Sequence, residues 1–245
     1  MSKLKLIFFL TVLTFCCCEV NGSKLKCSSS PVDMPKEWIT MTRPCVEKMK
    51  EQFHAELEAS MTYLAMGAHF HKDSINRLGF SKYFFESASE EREHAIRILE
   101  YLSMRGELKE NIGELLRTFP MPKKTSWSNA LEALKDALAL ETGVTERIRK
   151  MIETCESSLK DGENINYNDY HLADYLSSDF LGEQHKGQRE LAGHISRLSK
   201  MLNQHSVIGE YIYDKNLQWK VSKLATLIFD SWFPDLTHGF ISNDN

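Results

Sequence analysis

The stretch Glu86–Leu102, "ESASEEREHAIRILEYL", decides how this chain folds. Its apolar residues recur at intervals of three and four, the spacing that turns one face of an α-helix toward a protein core. The same spacing places Glu91 on that apolar face, and His94 follows three residues later. A carboxylate in a low-dielectric core is strongly unfavourable unless a partner neutralises its charge. The stretch therefore predicts a helix whose buried acid requires a partner.

Four long helical patterns occupy most of the chain, at about 44–70, 78–105, 128–160 and 169–202, and a short fifth pattern covers 207–217. Gly106 ends the second pattern, and Pro120 and Pro122 keep the following connection out of a helix. Strand-like alternation of useful length does not occur in the sequence. We therefore predict an all-α fold with a long connection between its second and third helices.

Each of the four apolar faces is interrupted near its middle by a polar residue. These residues are Glu56, Glu91, Glu141 and Gln184. In a bundle of antiparallel helices, positions near the middle lie at the same height, so the acids converge. The alternative, in which all four are solvated positions, requires the same misassignment on every helix. A bound cation removes the repulsion among converging carboxylates.

The nature of the side chains indicates which cation is bound. Glu56, Glu91 and Glu141 supply hard oxygen ligands, His94 supplies one imidazole, and Gln184 lies nearby. Oxygen-rich sites with an imidazole and no thiolate suit iron or manganese, whereas calcium does not need the histidine. Glu91 and His94 share a helix face and can reach one ion together.

These motifs carry a specific resemblance. The segments "ASMTYLAM", "SEEREHAIRILEYLSMRG" and "FLGEQ", in this order, resemble a ferritin subunit of the heavy, ferroxidase type over residues 34 to about 217. The stretches "DMPKEWITM" and "YNDYHLADYLSSDFLGEQHKGQRELAGHI" are similar to the secreted ferritins of insects. The resemblance implies a ferritin-like four-helix bundle with a long crossover between helices two and three and a short fifth helix.

The resemblance also implies a di-iron centre. In it Glu56, Glu91 and His94 hold one iron, while Glu91, Glu141 and Gln184 hold the other more weakly, and Tyr63 hydrogen-bonds within the site. The general di-iron pattern carries a second Glu-x-x-His. Here Gln184 replaces it, which fits a centre that passes iron on rather than retaining it as a fixed cofactor.

The implied activity is oxidation of Fe(II) by dioxygen, followed by deposition of ferric oxide inside a cage of twenty-four subunits. Two alternatives remain open: a non-catalytic shell subunit that stores or transports iron, and a di-iron oxidase acting on an organic substrate. The complete ligand set argues against the first. A large hollow particle would exclude the second.

Further residues match functional positions of the family. Glu90 and Glu93 match acids that favour mineral nucleation, although the next such position is Ile96 and an ordinary solvated helix face is an equal alternative. Asp174 matches an acid of the channel through which iron enters, but its usual acidic companion is Ser177 here. A partner subunit of the light type would supply what this chain lacks.

The chain begins with a pattern typical of a secretory signal. Lys3 and Lys5 precede the apolar run "LIFFLTVLTF", which is too short for a membrane anchor. We predict a signal peptide at 1–22, an N-terminal extension at 23–43, the bundle at 44–217 and a tail at 218–245. Secretion follows, and the net charge of −4 suggests neither nucleic acid nor an anionic membrane as a partner.

Three of the six cysteines lie beyond the predicted signal. In the ferritin bundle that the resemblance implies, the start of helix one lies beside the end of helix three, so an intrachain disulfide between Cys45 and Cys155 is expected. Cys27 is then left for a bond to another subunit, such as a light-type chain. The alternative for Cys27 is an incidental free thiol.

Overall fold

The structure is a computed structural model that describes residues 33–108, 112–117, 120–159 and 166–232. The helices are α1 (Arg43–His71), α2 (Leu78–Met104), α3 (Ile112–Leu115), α4 (Ala130–Ser157), α5 (Tyr170–Tyr175), a π-helical turn (Leu176–Phe180) and α6 (Leu181–Trp232). The strands β1 (Ser158–Leu159) and β2 (Asn166–Tyr167) pair antiparallel, with Ser158 opposite Tyr167. The predicted all-α class is confirmed.

The four long helices form a bundle in which α1 packs against α2 and α4, and α6 completes the ring by packing against the same two helices. The core divides into two apolar clusters. Met49, Ile98 and Ile148 belong to one cluster, whereas Phe70, Phe84, Leu134 and Leu198 belong to the other. On every long helix the switch from one cluster to the other occurs around its central polar residue, so a polar layer separates the two.

The fourth pattern, predicted as one helix over about 169–202, is divided in the structure. The α5 helix, the π turn and α6 follow one another without a loop. Ser206 has non-helical dihedrals (φ 48°, ψ −129°) and separates a first segment of α6, 181–205, from a second segment, 207–232. The second segment continues past Leu217, where the pattern was predicted to end, because no proline or glycine follows Gly209 until Pro234.

Two acids four residues apart dock the second segment of α6 onto the bundle. Asp214 is fully buried and its Oδ1 accepts the backbone N–H of Phe80 in the first turn of α2 (3.0 Å). Glu210 Oε2 accepts the backbone N–H of Ala130 at the start of α4 (3.0 Å), while its Oε1 pairs with Arg77 Nε at 3.1 Å. One helix face therefore satisfies free amides at the N-termini of two others.

A disulfide joins Cys45 and Cys155 with a Cα–Cα distance of 5.0 Å, and both residues are fully buried. It connects the first turn of α1 to the last turns of α4, which confirms the expected pair. Cys27 and the predicted signal at 1–22 lie outside the described residues. In the described part of the chain, helices with the length and apolar content needed to cross a membrane do not occur.

A buried ion pair holds the same end of the bundle. Arg105, just past α2, donates to both carboxylate oxygens of Asp169 at 2.9 Å and to Thr40 Oγ1 at 2.9 Å. The backbone N–H of Asp169 donates to the carbonyl oxygen of Cys155 (2.9 Å). The ends of α2 and α4, the start of α5 and the segment before α1 are thus joined through two side chains.

Asp214 offers a test of how the second segment docks. We expect Asp214→Ala to lower the free energy of unfolding by about 1–3 kcal/mol, because it leaves a buried backbone N–H without an acceptor. Asp214→Asn keeps an oxygen acceptor and should cost much less. Thermal and urea unfolding of the purified variants measure the difference, and equal losses for both would contradict this role.

The disulfide joins two cysteines that are 110 positions apart in the sequence. Replacing Cys45 and Cys155 together by alanine should lower the free energy of unfolding by about 2–4 kcal/mol, because the unfolded chain gains conformational freedom. Urea unfolding with and without a reductant measures this effect. With reductant present, the native chain should approach the variant, and a persistent difference would assign the loss to packing instead.

Candidate metal centre

Three side chains from α1 and α2 converge in the polar layer. Ligand atoms of Glu56, Glu91 and His94 all lie within 4.8 Å of one another. Glu56 is fully buried and Glu91 is 4% exposed. The spacing of three residues places Glu91 and His94 on one face of α2, and the packing of α1 along α2 brings Glu56 opposite them. The structure thus brings together three of the predicted ligands.

Three atoms of this group that could bind a metal have no hydrogen-bond partners among the described residues. These atoms are Glu56 Oε2, Glu91 Oε2 and His94 Nδ1, and all three are buried. Buried polar atoms are seldom left in this state, because each lost hydrogen bond is costly. Two carboxylate oxygens and one imidazole nitrogen that face one another fit a divalent transition-metal ion.

The electrostatics of the group also favour a cation. Burial raises the pKa of the Glu56 carboxyl well above its usual range, and the nearby charge of Glu91 raises it further. Burial and then repulsion from Glu141 raise the pKa of Glu91 to about 8. A hydrogen bond from Gln52 Nε2 to Glu56 Oε1 (2.6 Å) acts in the opposite direction. A cation that binds here replaces protons, so its binding is expected to release them.

The other predicted site residues face the same space from three helices: Tyr63 from α1, Glu141 from α4 and Gln184 from α6. Tyr63, Glu91, His94, Glu141 and Gln184 contribute to the wall of a cavity of about 540 Å³. The Tyr63 hydroxyl donates to Glu141 Oε1 at 2.5 Å. Gln184 Oε1 accepts from the Thr145 hydroxyl at 2.9 Å. Glu141 Oε1 and Gln184 Oε1 therefore lie in the cavity with a hydrogen-bond partner already in place.

Sequence reasoning did not assign roles to three residues that support the site, Gln52, Thr145 and Gln188. Gln52 lies one turn before Glu56 and hydrogen-bonds to it. Gln188 Nε2 donates to Thr145 Oγ1 at 2.7 Å and to the carbonyl oxygen of Glu141 at 3.2 Å. All three share a helix face with a predicted ligand at a spacing of four residues, and that spacing was the available signal.

The cavity opens between α2 and α6 through an acidic mouth. The acids that line it besides the ligands are Glu86, Glu90, Glu93, Glu183 and Glu190. Glu90 and Glu93, the predicted nucleation residues, are exposed there. Asp174 is exposed on α5, and its carbonyl oxygen accepts from the Ser178 hydroxyl at 2.7 Å. Nucleation and channel roles remain predictions.

Comparisons of this chain with known proteins, by sequence and by structure, find members of one family. A model of the Ferritin-like domain matches residues 46–201. The ferritin heavy chain of Trichoplusia ni is 48% identical over 212 residues, which cover 86% of this chain and 96% of that protein. The ferritin heavy chain of Drosophila melanogaster is 46% identical over 192 residues, covering 78% and 90%. The crystal structure of Trichoplusia ni secreted ferritin has a TM-score of 0.71 and 50% identity, covering 79% of this chain and 98% of that one.

The raised pKa of Glu91 gives a pH-dependent prediction. Since the folded-state pKa of about 8 exceeds the ordinary value of 4.5, the protonated acid is favoured in the folded protein. Its stabilising contribution is complete below the ordinary pKa and is lost as the pH rises toward 8. Glu91→Gln imitates the protonated acid at every pH. We expect the metal-free variant to match the native protein at pH 5 and to exceed its stability by on the order of a few kcal/mol at pH 9.

Thermal unfolding in the presence of a chelator, from pH 5 to pH 9, measures this difference. Glu100→Gln is the matched control, because it removes an exposed carboxylate from the same helix. A Glu91→Gln variant that is less stable than the native protein at pH 9 would contradict the electrostatic interpretation.

Proposed function

The chain belongs to the ferritin family, and from this premise we propose that it is an iron-storage subunit with ferroxidase activity. The substrate is Fe(II), the oxidant is dioxygen, and the site is the cavity bounded by α1, α2, α4 and α6. The observation that carries the proposal is the set of unpaired buried donor atoms on Glu56, Glu91 and His94. A subunit that only forms a shell has no need of such a set.

In the proposed reaction the first Fe(II) binds to Glu56, Glu91 and His94. The second Fe(II) binds across the cavity to Glu141 and Gln184. Glu91 is a ligand of both ions, because its carboxylate has two oxygens. Each Fe(II) gives up one electron, and together they reduce one dioxygen molecule by two electrons. A pair of ions achieves this in one event, whereas a single Fe(II) does not.

The protein residues have distinct tasks in this scheme. The carboxylates of Glu56, Glu91 and Glu141 stabilise the higher charge of Fe(III). Tyr63, bonded to Glu141 Oε1, fixes the orientation of that ligand. The neutral amide of Gln184 provides a weaker ligand than a second histidine, which favours departure of the product. The acidic mouth, with Glu90 and Glu93, then offers carboxylates to the ferric product as it hydrolyses and mineralises.

We further propose that the subunit is secreted and assembles with other ferritin subunits into a cage of twenty-four, together with a light-type chain. The buried Cys45–Cys155 disulfide supports an oxidising compartment, and the similar Trichoplusia ni structure is that of a secreted ferritin. In this scheme residues 1–22 are the signal, Cys27 bonds to a neighbouring subunit, and Asp174 contributes to a channel through which iron enters.

The decisive experiment is anaerobic loading of the assembled protein with Fe(II), followed by addition of oxygen. Formation of Fe(III) should be rapid for the native chain. In Glu91→Ala with His94→Ala it should fall to the rate of Fe(II) in protein-free buffer, because one iron site loses two of its three ligands. Absorbance of Fe(III) follows the reaction, and sedimentation verifies that the particle remains assembled.

Glu146→Gln serves as the control, since Glu146 is an exposed residue of α4 paired with Lys150 at 2.7 Å. It should oxidise iron at the native rate. If the double variant also retained the native rate in an intact particle, the site would not be a ferroxidase centre, and the alternative of a non-catalytic shell subunit would replace the proposal.

A further inference from the structure

Four side chains form a compact unit at the edge of the metal centre. His94 and Arg97 lie three residues apart on α2 and face Phe180, at the end of the π turn, and Glu183, in the first turn of α6. Glu183 Oε2 lies 3.2 Å from His94 Nε2 and 2.7 Å from an Arg97 terminal nitrogen. The Phe180 ring centre lies 4.7 Å from the guanidinium carbon of Arg97 and 5.8 Å from the centre of the His94 ring.

The two nitrogens of His94 have different surroundings. Nδ1 lies 3.5 Å from Glu91 Oε2 and belongs to the unpaired donor set of the metal centre. Nε2, the other ring nitrogen, lies beside the carboxylate of Glu183. A histidine that binds a metal uses one nitrogen for the ion and normally donates the N–H of the other to a carboxylate or carbonyl oxygen. The geometry of His94 matches this division.

We propose that Glu183 is a positioning residue for the iron ligand His94. Its carboxylate accepts the Nε2–H of the imidazole and so holds the ring in the tautomer and orientation that direct Nδ1 at the iron. Arg97 in turn fixes the carboxylate. The inference rests on the proposed ferroxidase function and deepens it, because it assigns a task to a residue outside the ligand set.

Arg97 is suited to fix a half-exposed acid. The Glu183 side chain is 48% exposed, and an isolated carboxylate in that position would sample several rotamers. The Arg97 side chain is only 25% exposed, and its guanidinium lies over the buried Phe180 ring. Since one face of the guanidinium packs on the ring, its edge remains free to hold the Glu183 oxygen in one place.

A π turn lies directly before the segment that carries Glu183. In this turn the N–H of Leu181 donates to the carbonyl oxygen of Leu176, five residues earlier. Each residue of an α-helix advances about 100° around the axis, so one additional residue in the turn rotates everything that follows. Such turns recur at functional sites in other helices.

Binding of Co(II) under anaerobic conditions tests the proposal, because Co(II) is not oxidised and its visible absorption reports nitrogen coordination. The assembled full chain is titrated as the native protein and as the variants Glu183→Ala, Glu183→Gln, Glu86→Gln and Glu91→Ala. We expect Glu183→Ala to weaken Co(II) affinity by about 10- to 100-fold. Glu183→Gln retains an oxygen acceptor for the imidazole and should recover most of that loss.

Glu86→Gln is the matched control. It removes one carboxylate from the wall of the same cavity without touching His94. Its affinity for Co(II) should stay near the native value, with the same absorption spectrum. An equal loss in Glu86→Gln and Glu183→Ala would overturn the proposal and assign the effect to the general negative charge of the mouth.

The remaining outcomes are also decisive. If Glu183→Gln binds Co(II) as weakly as Glu183→Ala, Glu183 is a direct metal ligand and the positioning role is wrong. Tighter binding of Co(II) by Glu183→Ala would overturn the proposal and show that Glu183 competes with the metal ion for His94. If Glu183→Ala binds normally while Glu91→Ala does not, the inference fails and the proposed metal centre stands. Normal binding by Glu91→Ala would overturn both.

Discussion

The burial of several carboxylates in one layer of the bundle is the constraint on which the rest of the structure depends. Glu56, Glu91 and Glu141 lie between two apolar clusters, each at least 94% removed from solvent by the packing of the four helices. Bare charges at this depth repel one another and are poorly solvated. The raised pKa values of Glu56 and Glu91 express that penalty in the metal-free protein. In the metal-free protein the layer therefore opposes the stability that the apolar clusters on either side of it provide.

The stabilising features are concentrated at the two ends of the bundle, away from this layer. At one end lie the Cys45–Cys155 disulfide and the bidentate Arg105–Asp169 pair. At the other, Asp214 satisfies a free amide of α2, and a Cβ atom on Gly79 would collide with the Asp214 carbonyl oxygen. The close approach explains the glycine. Rigid ends allow the middle to keep unpaired donor atoms in place, as sites built for function commonly require.

Periodicity predicted most of this arrangement. On α1 and α2 the residues that follow the alternating spacing of three and four, from Met49 to Phe70 and from Phe84 to Leu102, are all buried. On α4 the same spacing identifies the core face less completely. Leu131 and Leu138, which follow it, are half-buried, while Ala133 and Ala137 are fully buried, because alanine carries little periodic signal. The kink at Ser206 and the π turn were missed. Each is a local change in backbone hydrogen bonding, and the spacing of apolar residues does not record it.

The grouped side chains Glu56, Glu91 and His94 were easier to predict than the residues around them. Glu56, Glu91 and His94 interrupt an apolar face or follow a fixed spacing, so one helix alone reveals them. Glu183 acts on His94 from another helix, and its position depends on an irregular turn that the sequence pattern does not show. The two sides of the cavity also differ in a way visible only in three dimensions. Glu56 Oε2, Glu91 Oε2 and His94 Nδ1 have no hydrogen-bond partner among the described residues, whereas Glu141 Oε1 and Gln184 Oε1 accept hydrogen bonds from Tyr63 and Thr145. In the proposed scheme an ion bound by Glu141 and Gln184 competes with these two hydrogen bonds, which is a physical reason for the weaker second site.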